Sequence, residues 1–305
     1  MKIVIAGATG FIGRALTEKL SASGHEVFVL TRGVRQRVRE KNGKILVPWD
    51  GKTPGDWVAQ LDGADAVINL AGENIASKRW TAVRKQEILS SRAETTRLIV
   101  NAIAQVKKKP EILVNASAVG YYGDVPEGVL TETSGAGDGF LSKTCGQWET
   151  EARKAELSGT RVVLARLGPV LGEKGGMLSK MIPPFRFFMG APLGSGRQWI
   201  SWVHRDDVTG AFLFMLDHGD ISGPVNVTAP APATMQEFCS ALAKIMRRPC
   251  GFPLPGFLLK ILMGAMAEIV LASQKALPEK LLRAGYQFRY SRLPEALEAI
   301  LKRGK

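Results

Sequence analysis

The sequence predicts an α/β fold, a doubly wound parallel sheet with a smaller, mostly helical C-terminal domain, and three observations predict it. Apolar runs of strand length at 2–6, 26–30, 66–70, 112–116 and 161–165 alternate with longer amphipathic stretches. A glycine-rich turn joins the first run to the first stretch. The alternation stops after Arg166, where glycine and proline crowd the chain before helical patterning resumes. Runs of Val, Ile and Leu with few polar interruptions suit strands buried on both faces, the state of a parallel sheet covered by helices. Right-handed crossovers then gather the loops that follow the strands along one sheet edge, where ligands bind.

In chain order, the run 2–6 leads through Gly7-Ala8-Thr9-Gly10-Phe11-Ile12-Gly13 into a helix predicted at 12–23. Glycine permits otherwise forbidden dihedrals and lets backbone amides approach an anion, while the following helix turns its partially positive N-terminus toward the same place. Gly13 permits close helix-on-strand packing. A glycine triplet alone also occurs in a plain strand-to-helix turn, but its setting between strand and helix matches a dinucleotide-binding, Rossmann-like start.

The second strand ends in Val29-Leu30-Thr31-Arg32-Gly33, with Arg35 and Arg37 close behind. NAD sites usually place an acid there for the ribose 2′-hydroxyl, whereas NADP sites supply arginine to a 2′-phosphate. The acid is absent and cations are present, so NADP(H) is the expected cofactor.

Further helices are predicted at 81–105 and 146–157. A loop-rich section follows Arg166, then a helix at 207–216, a strand at 225–227, and helical segments at 235–246, 257–272, 278–283 and 293–301. Residues 1–228 are expected to form the nucleotide-binding domain, and 229–305 a small domain contributing to a substrate cleft. The run 2–6 is too short and interrupted for a secretory segment. The stretch 257–272 falls short of the ~20 apolar residues a bilayer needs and carries Lys260 and Glu268. It is expected as an amphipathic or buried helix, and no membrane partner is expected.

The 305 residues are 45% apolar and 23% charged, a balance that excludes a disordered chain and can bury a sizeable core. Cys145, Cys239 and Cys250, with His25, His204 and His218, have no metal-ligand or disulfide-framework spacing, so no metal is expected and a reducing cytoplasm fits. The net charge of +13 gathers around Arg32 to Lys44 (including Lys41), Lys78 to Lys85, Lys107 to Lys109, and Lys302 to Lys305. Such charge is the footprint of nucleic-acid binders and of solvated basic faces alike. Without a recognition motif or a stacking platform the second is favoured, and nucleic acid is not the expected partner.

Gly7 to Gly13, Asn69-Leu70-Ala71-Gly72-Glu73-Asn74 and Asn115-Ala-Ser117-Ala-Val-Gly-Tyr121-Tyr122-Gly123 together resemble the extended short-chain dehydrogenase/reductase superfamily. Trp49-Asp50, Arg79-Trp80, Ser91-Arg92, Cys145-Gly-Gln-Trp148-Glu149 and Ser201-Trp202-Val203-His204 narrow the resemblance to its atypical, epimerase-like YfcH-type group. So does the C-terminal stretch through Gln274, Pro278 and Gly285 to Phe288. The resemblance implies a nicotinamide cofactor and a nucleotide-sugar-epimerase ancestry, with no defined substrate. It implies that Gly7, Thr9, Gly10, Phe11, Ile12 and Gly13 wrap a pyrophosphate, and that Thr31 and Arg32 meet the adenosine ribose and its phosphate. Asp50 falls where related proteins contact adenine. Leu70, Ala71, Gly72 and Glu73 would line the cofactor ribose, and Arg166 would approach the nicotinamide end. For Asp50 and Glu73, a loop cap or a solvated carboxylate is an equal alternative.

Superfamily catalysis uses a Tyr with a Lys four residues on, the ammonium lowering the phenol's pKa. Four residues after Tyr121, Tyr122, Tyr286 and Tyr290 stand Val125, Pro126, Tyr290 and Pro294, so the pair is absent. By position it lands on Cys145 and Glu149. A neighbouring carboxylate raises a thiol's pKa unless a cation such as Lys143 compensates, so Cys145 is expected as a small buried helix residue. Ser117 and Tyr121 or Tyr122 are the candidate catalytic groups. His204, ahead of Asp206 and Asp207, is as well suited to a helix start as to acid/base work. The expectation is an NADP(H)-binding oxidoreductase or epimerase-like protein acting on an unidentified small molecule, with oligomeric state open. The alternative is a catalytically silent NADPH-binding sensor or assembly factor.

Overall fold

All five expected strands of the first two thirds lie in one sheet of the computed structural model, which describes residues 1–40, 43–173 and 175–303. Lys41 and Lys305 of the basic clusters lie outside the described residues. The strands are β1 (Lys2–Ala6), β2 (Glu26–Thr31), β3 (Val38–Arg39), β4 (Ile45–Pro48), β5 (Ala66–Asn69), β6 (Ile112–Ala118), β7 (Arg161–Leu167), β8 (Val170–Gly172), β9 (Gly175–Gly176), β10 (Trp199–Ile200), β11 (Val203–His204), β12 (Gly223–Val227) and β13 (Ala233–Thr234). The helices are α1 (Phe11–Ala22), α2 (Ala82–Gln105), α3 (Phe140–Arg153), α4 (Leu178–Arg186), α5 (Arg205–Asp217), α6 (Met235–Met246), α7 (Gly256–Met263), α8 (Glu268–Leu271), α9 (Glu279–Arg283) and α10 (Leu293–Arg303).

The main sheet runs β12-β7-β6-β5-β1-β2-β4-β3, parallel except for β3. Alternate residues of β1 feed opposite layers. Ile3 and Ile5 pack with Leu16 and Leu20 of α1 and Phe212 of α5, while Val4 and Ala6 pack with Ile99 and Ile103 of α2. The central strands β1, β5, β6 and β7 are thus buried on both faces, which is why they are apolar without alternation. The chain leaves β1 toward β2 on one side and returns to pair with β5 on the other. That reversal opens a crevice beyond the carboxyl ends of β1 and β5, the place where open α/β sheets bind ligands.

A third apolar cluster joins Leu178, Met181 and Phe185 of α4 with Trp202, Phe238 and Leu242 of α6, and Leu297 of α10. It is drawn from both sides of residue 228. Two small sheets, β10-β13 and β11-β8-β9, stitch this region to the main sheet.

Three segments depart from expectation. The section after Arg166 was expected as loop, yet it contains α4 with Pro183 and Pro184 inside it. A short helix tolerates the lost donors because Leu178, Met181 and Phe185, spaced three and four apart, anchor one face. The helix expected at 146–157 begins earlier, at Phe140, and gives way to a 3-10 turn over Lys154–Ser158. The single helix expected over 257–272 is three pieces, because Gly264 at φ +61° breaks it into α7, a 3-10 turn and α8. Among the residues of α7 only Leu259 is buried, contrary to a buried or evenly amphipathic helix.

Candidate functional site

The turn after β1 is built so that nothing but glycine fits. Gly7 has φ +78°, and a Cβ there would lie 2.5 Å from the carbonyl carbon of Leu70; one on Gly13 would lie 2.5 Å from the Gly7 oxygen. Gly10 precedes α1 with no side chain capping the helix, so the leading amides of α1 face an open cradle suited to an anion. Thr9 lies at its rim, and Ile12 packs against the core below. The Phe11 ring sits beneath the β8-β9 hairpin, where a Cβ on Gly172 or Gly175 would fall 2.8 Å or 2.3 Å from it. These residues fit a dinucleotide pyrophosphate: backbone donors, no intruding side chain, and a helix start aimed at the gap.

At the end of β2 the Thr31 hydroxyl accepts from the Gly33 amide at 3.1 Å. Arg32 and Arg35 are exposed, and neither guanidinium has an ion-pair partner among the described residues. Arg37 lies over the Phe28 ring instead, 5.2 Å from its centroid. A cavity of about 360 Å³ opens here, lined by Thr9, Arg14, Thr31, Gly33 and Lys44 among others. Arg14 was not anticipated from the sequence, although it stands one residue after the last loop glycine on the helix the loop opens. Its Nε donates to the Thr9 carbonyl at 2.7 Å. Asp50 caps its own turn, accepting from the amides of Lys52 and Thr53 at 2.8 Å and 2.9 Å. Those bonds lower its pKa to about 2.

Beyond β5, the Leu70 amide donates to Ala6 and the Ala71 amide to the Asn69 side chain. A Cβ on Gly72 would stand 3.1 Å from the Arg92 guanidinium carbon. The Glu73 carboxylate turns away to Arg84, at 3.2 Å, and the Glu73 carbonyl accepts from Arg92 at 3.0 Å. Of the sequence alternatives for Asp50 and Glu73, each carboxylate holds a local partner in this structure.

The ends of β6 and β7 and one face of α3 enclose a polar network. Ser117 and Arg166 are cross-strand neighbours, and Cys145 and Glu149 are one helical turn apart. The Ser117 hydroxyl donates to Glu149 Oε1 at 2.7 Å. Arg166 grips the same carboxylate with Nε and Nη2, both at 2.9 Å, and its Nη1 donates to the Tyr122 hydroxyl at 3.0 Å. That hydroxyl also lies 2.7 Å from Asn226 Oδ1. Ser117 and Arg166 are each only 2% exposed. Burial opposes the Arg166 charge, but its bonds to Glu149 and that carboxylate's charge outweigh it and raise the pKa. Burial pushes the Tyr122 hydroxyl up. Burial, then the Glu149 charge, pushes the Cys145 thiol to about 11, with Arg92, and not the exposed Lys143, opposing them.

The three candidate catalytic groups are therefore unlike one another. Ser117 and Tyr122 are buried with their hydroxyls engaged. Tyr121 is half-buried, its ring face 3.5 Å from the Arg166 guanidinium and edge-on to Tyr122, and its hydroxyl has no hydrogen-bond partner among the described residues. A second cavity, of about 470 Å³, is lined by Asp124 and, from the C-terminal region, by Lys260, Glu268 and Leu271 among others. His204 is structural: it is buried, its Nδ1 accepts from the Asp206 amide at 3.0 Å at the start of α5, and its ring packs on Tyr290. Asp207 accepts from the amides of Arg289 and Tyr290. The described residues contain no group of three or more His, Cys, Asp or Glu able to hold a metal.

A doubly wound sheet with a glycine phosphate cradle at its switch point defines a nicotinamide-dinucleotide-binding α/β protein. The chain belongs to the NAD dependent epimerase/dehydratase family, whose pattern it matches over residues 3–228, and it carries a DUF1731 domain, described as of unknown function, over 254–300. It is 41% identical to epimerase family protein YfhF of Bacillus subtilis over 304 residues, covering 99% of this chain and 98% of that one. It is 40% identical to the chloroplastic SDR39U1 homolog of Arabidopsis thaliana, covering 99% of this chain and 87% of the relative. Among solved structures, human epimerase family protein SDR39U1 (isoform2) with NADPH superposes with a TM-score of 0.88 at 35% identity, covering 99% of both chains.

Proposed function

We propose that the protein is an NADP(H)-dependent oxidoreductase or epimerase-like enzyme of the cytoplasm, acting on a small molecule with a carbonyl or a carbinol. The observation that carries the proposal is the glycine cradle closed against Leu70, followed by a β2 end that has no acid and presents Arg32. In this reading Gly7, Thr9, Gly10, Phe11, Ile12 and Gly13 hold the pyrophosphate. Thr31 and Arg32, joined by Arg14, hold the phosphorylated ribose, while the backbone of Leu70, Ala71, Gly72 and Glu73 lines the ribose nearer the chemistry. Bound there, the dinucleotide supplies or accepts a hydride. The NADPH in the human relative's structure supports the choice of cofactor.

The chain's own contribution is a proton donor beside a fixed cation. Tyr121 is the one candidate phenol whose hydroxyl is not already committed among the described residues, and Arg166 lies against its ring. Glu149 holds Arg166 in place from two oxygens, so Ser117, Glu149 and Tyr122 act as positioning groups. The cavity lined by Asp124, two residues after Tyr122, and by Lys260, Glu268 and Leu271 of the C-terminal region is the proposed substrate pocket. Asp50 and the Glu73 side chain are left as turn and ion-pair residues.

The test is NADPH oxidation against a panel of aldehydes, ketones and nucleotide sugars, with Tyr121→Phe and Ser117→Ala. Turnover should fall at least about a hundredfold in Tyr121→Phe, on the scale of general-acid catalysis, while NADPH still binds. A second reading, a catalytically silent NADPH-binding sensor, is favoured by the engaged hydroxyls of Ser117 and Tyr122 and the protonated Cys145. NADPH binding with no turnover on any substrate would select it, whereas turnover indifferent to both substitutions would overturn Tyr121 as the proton donor.

A further inference from the structure

The helix α7, Gly-Phe-Leu-Leu-Lys-Ile-Leu-Met, is apolar nearly all round, a composition that belongs in a core. Instead Phe257, Ile261 and Leu262 are exposed. The loop that precedes it holds Phe252, which is 96% exposed. That loop runs beside the end of α4: the Gly251 amide donates to Gly190 at 2.8 Å and the Gly194 amide to Leu254 at 2.9 Å. There Phe187, Phe188 and Met189 are exposed as well. Phe188 is held at φ +63°, a left-handed conformation that bulky residues avoid. All four exposed phenylalanines of the described chain thus fall on two neighbouring segments.

The charge around this face has one sign. From residue 174 to 205 and from 238 to 267 the sequence has no Asp or Glu, while Lys180, Arg186, Arg197, Lys244, Arg247, Arg248 and Lys260 fall within these stretches. Arg248 stacks over the Phe188 ring at 4.5 Å. Asp124 and Glu268 line the cavity beside Lys260, and Glu268 faces the Leu141 amide at the start of α3.

We propose that this face docks on an anionic lipid bilayer, with the phenylalanines, Met189, Ile261 and Leu262 entering the headgroup and acyl boundary and the arginines meeting lipid phosphates. No described helix is long and apolar enough to cross a membrane, so the contact is peripheral and the expectation of no membrane partner is revised to that extent. Aromatic and aliphatic side chains inside a basic rim are the pattern of interfacial insertion. A second copy is disfavoured because a two-fold contact would set the same acid-free basic rim against itself.

The test is flotation of the full chain with vesicles of phosphatidylcholine alone or with phosphatidylglycerol added. Wild type should partition onto the anionic vesicles and lose that binding as salt rises. Arg186→Glu should weaken it by roughly fivefold or more, and Phe257→Ser and Ile261→Ser each by roughly tenfold. These side chains are exposed and far along the chain from the phosphate loop, so NADPH titration of each variant reports an intact fold. Absence of binding to anionic vesicles overturns the proposal. So does equal binding by wild type and Phe257→Ser, or a dimer in sedimentation that Phe257→Ser dissolves, which would assign the face to a second copy.

Discussion

Replacing Glu149 with Ala should be among the most damaging single changes in the chain. The carboxylate accepts the Ser117 hydroxyl and two Arg166 donors, at 2.7 to 2.9 Å. Removing it leaves a buried guanidinium with no counter-charge. Breaking a buried pair from one side costs about 3–5 kcal/mol, which for a chain of this size lowers Tm by roughly 5–8 °C. The double variant Glu149→Leu/Arg166→Leu should recover much of that loss, because it removes the stranded charge along with its partner. Thermal and urea unfolding of wild type, Glu149→Leu, Arg166→Leu and the double variant form the cycle, with an expected coupling of at least about 2 kcal/mol. Single losses below about 1 kcal/mol that simply add would refute the idea that the pair holds the β6-β7 end together.

Three further outcomes follow from the same geometry. Gly7→Ala should lose dinucleotide binding and about 1–3 kcal/mol of stability, measured by titration and unfolding, because φ +78° and the Leu70 carbonyl both reject a Cβ. Tyr122→Phe should cost about 1–3 kcal/mol by leaving Asn226 and one Arg166 donor without the phenol. The Cys145 thiol is raised from 9.0 to about 11. A raised pKa means the folded state keeps its proton longer, so this stabilisation is complete below pH 9 and is lost as pH rises from 9 through 11. Urea unfolding should show a loss on the order of 2 kcal/mol across that window, absent in Cys145→Ala.

The strands and the phosphate loop were legible in the sequence because burial on both faces leaves an unbroken apolar run, and because glycine at Gly7 and Gly13 answers a local backbone demand. The direction of the Cys145 thiol's shift was legible for the same kind of reason, since burial on the helix raises it first and its helical neighbour Glu149 adds to that. The cation that answers Glu149 was not. Arg166 lies on another element, and only strand register sets it beside Ser117. The α4 helix was hidden by Pro183 and Pro184, local signals overridden by packing of Phe185. The exposure of α7 was hidden because an apolar helix reads as core whatever covers it.

The proposed dinucleotide site selects for a 2′-phosphate. Titration of the purified protein with NADPH and with NADH tests it directly. NADPH should bind about 10- to 100-fold more tightly, the worth of one charge-assisted contact, and Arg32→Ala should remove most of the difference while leaving NADH binding unchanged. Equal affinity, or a preference for NADH, would contradict it.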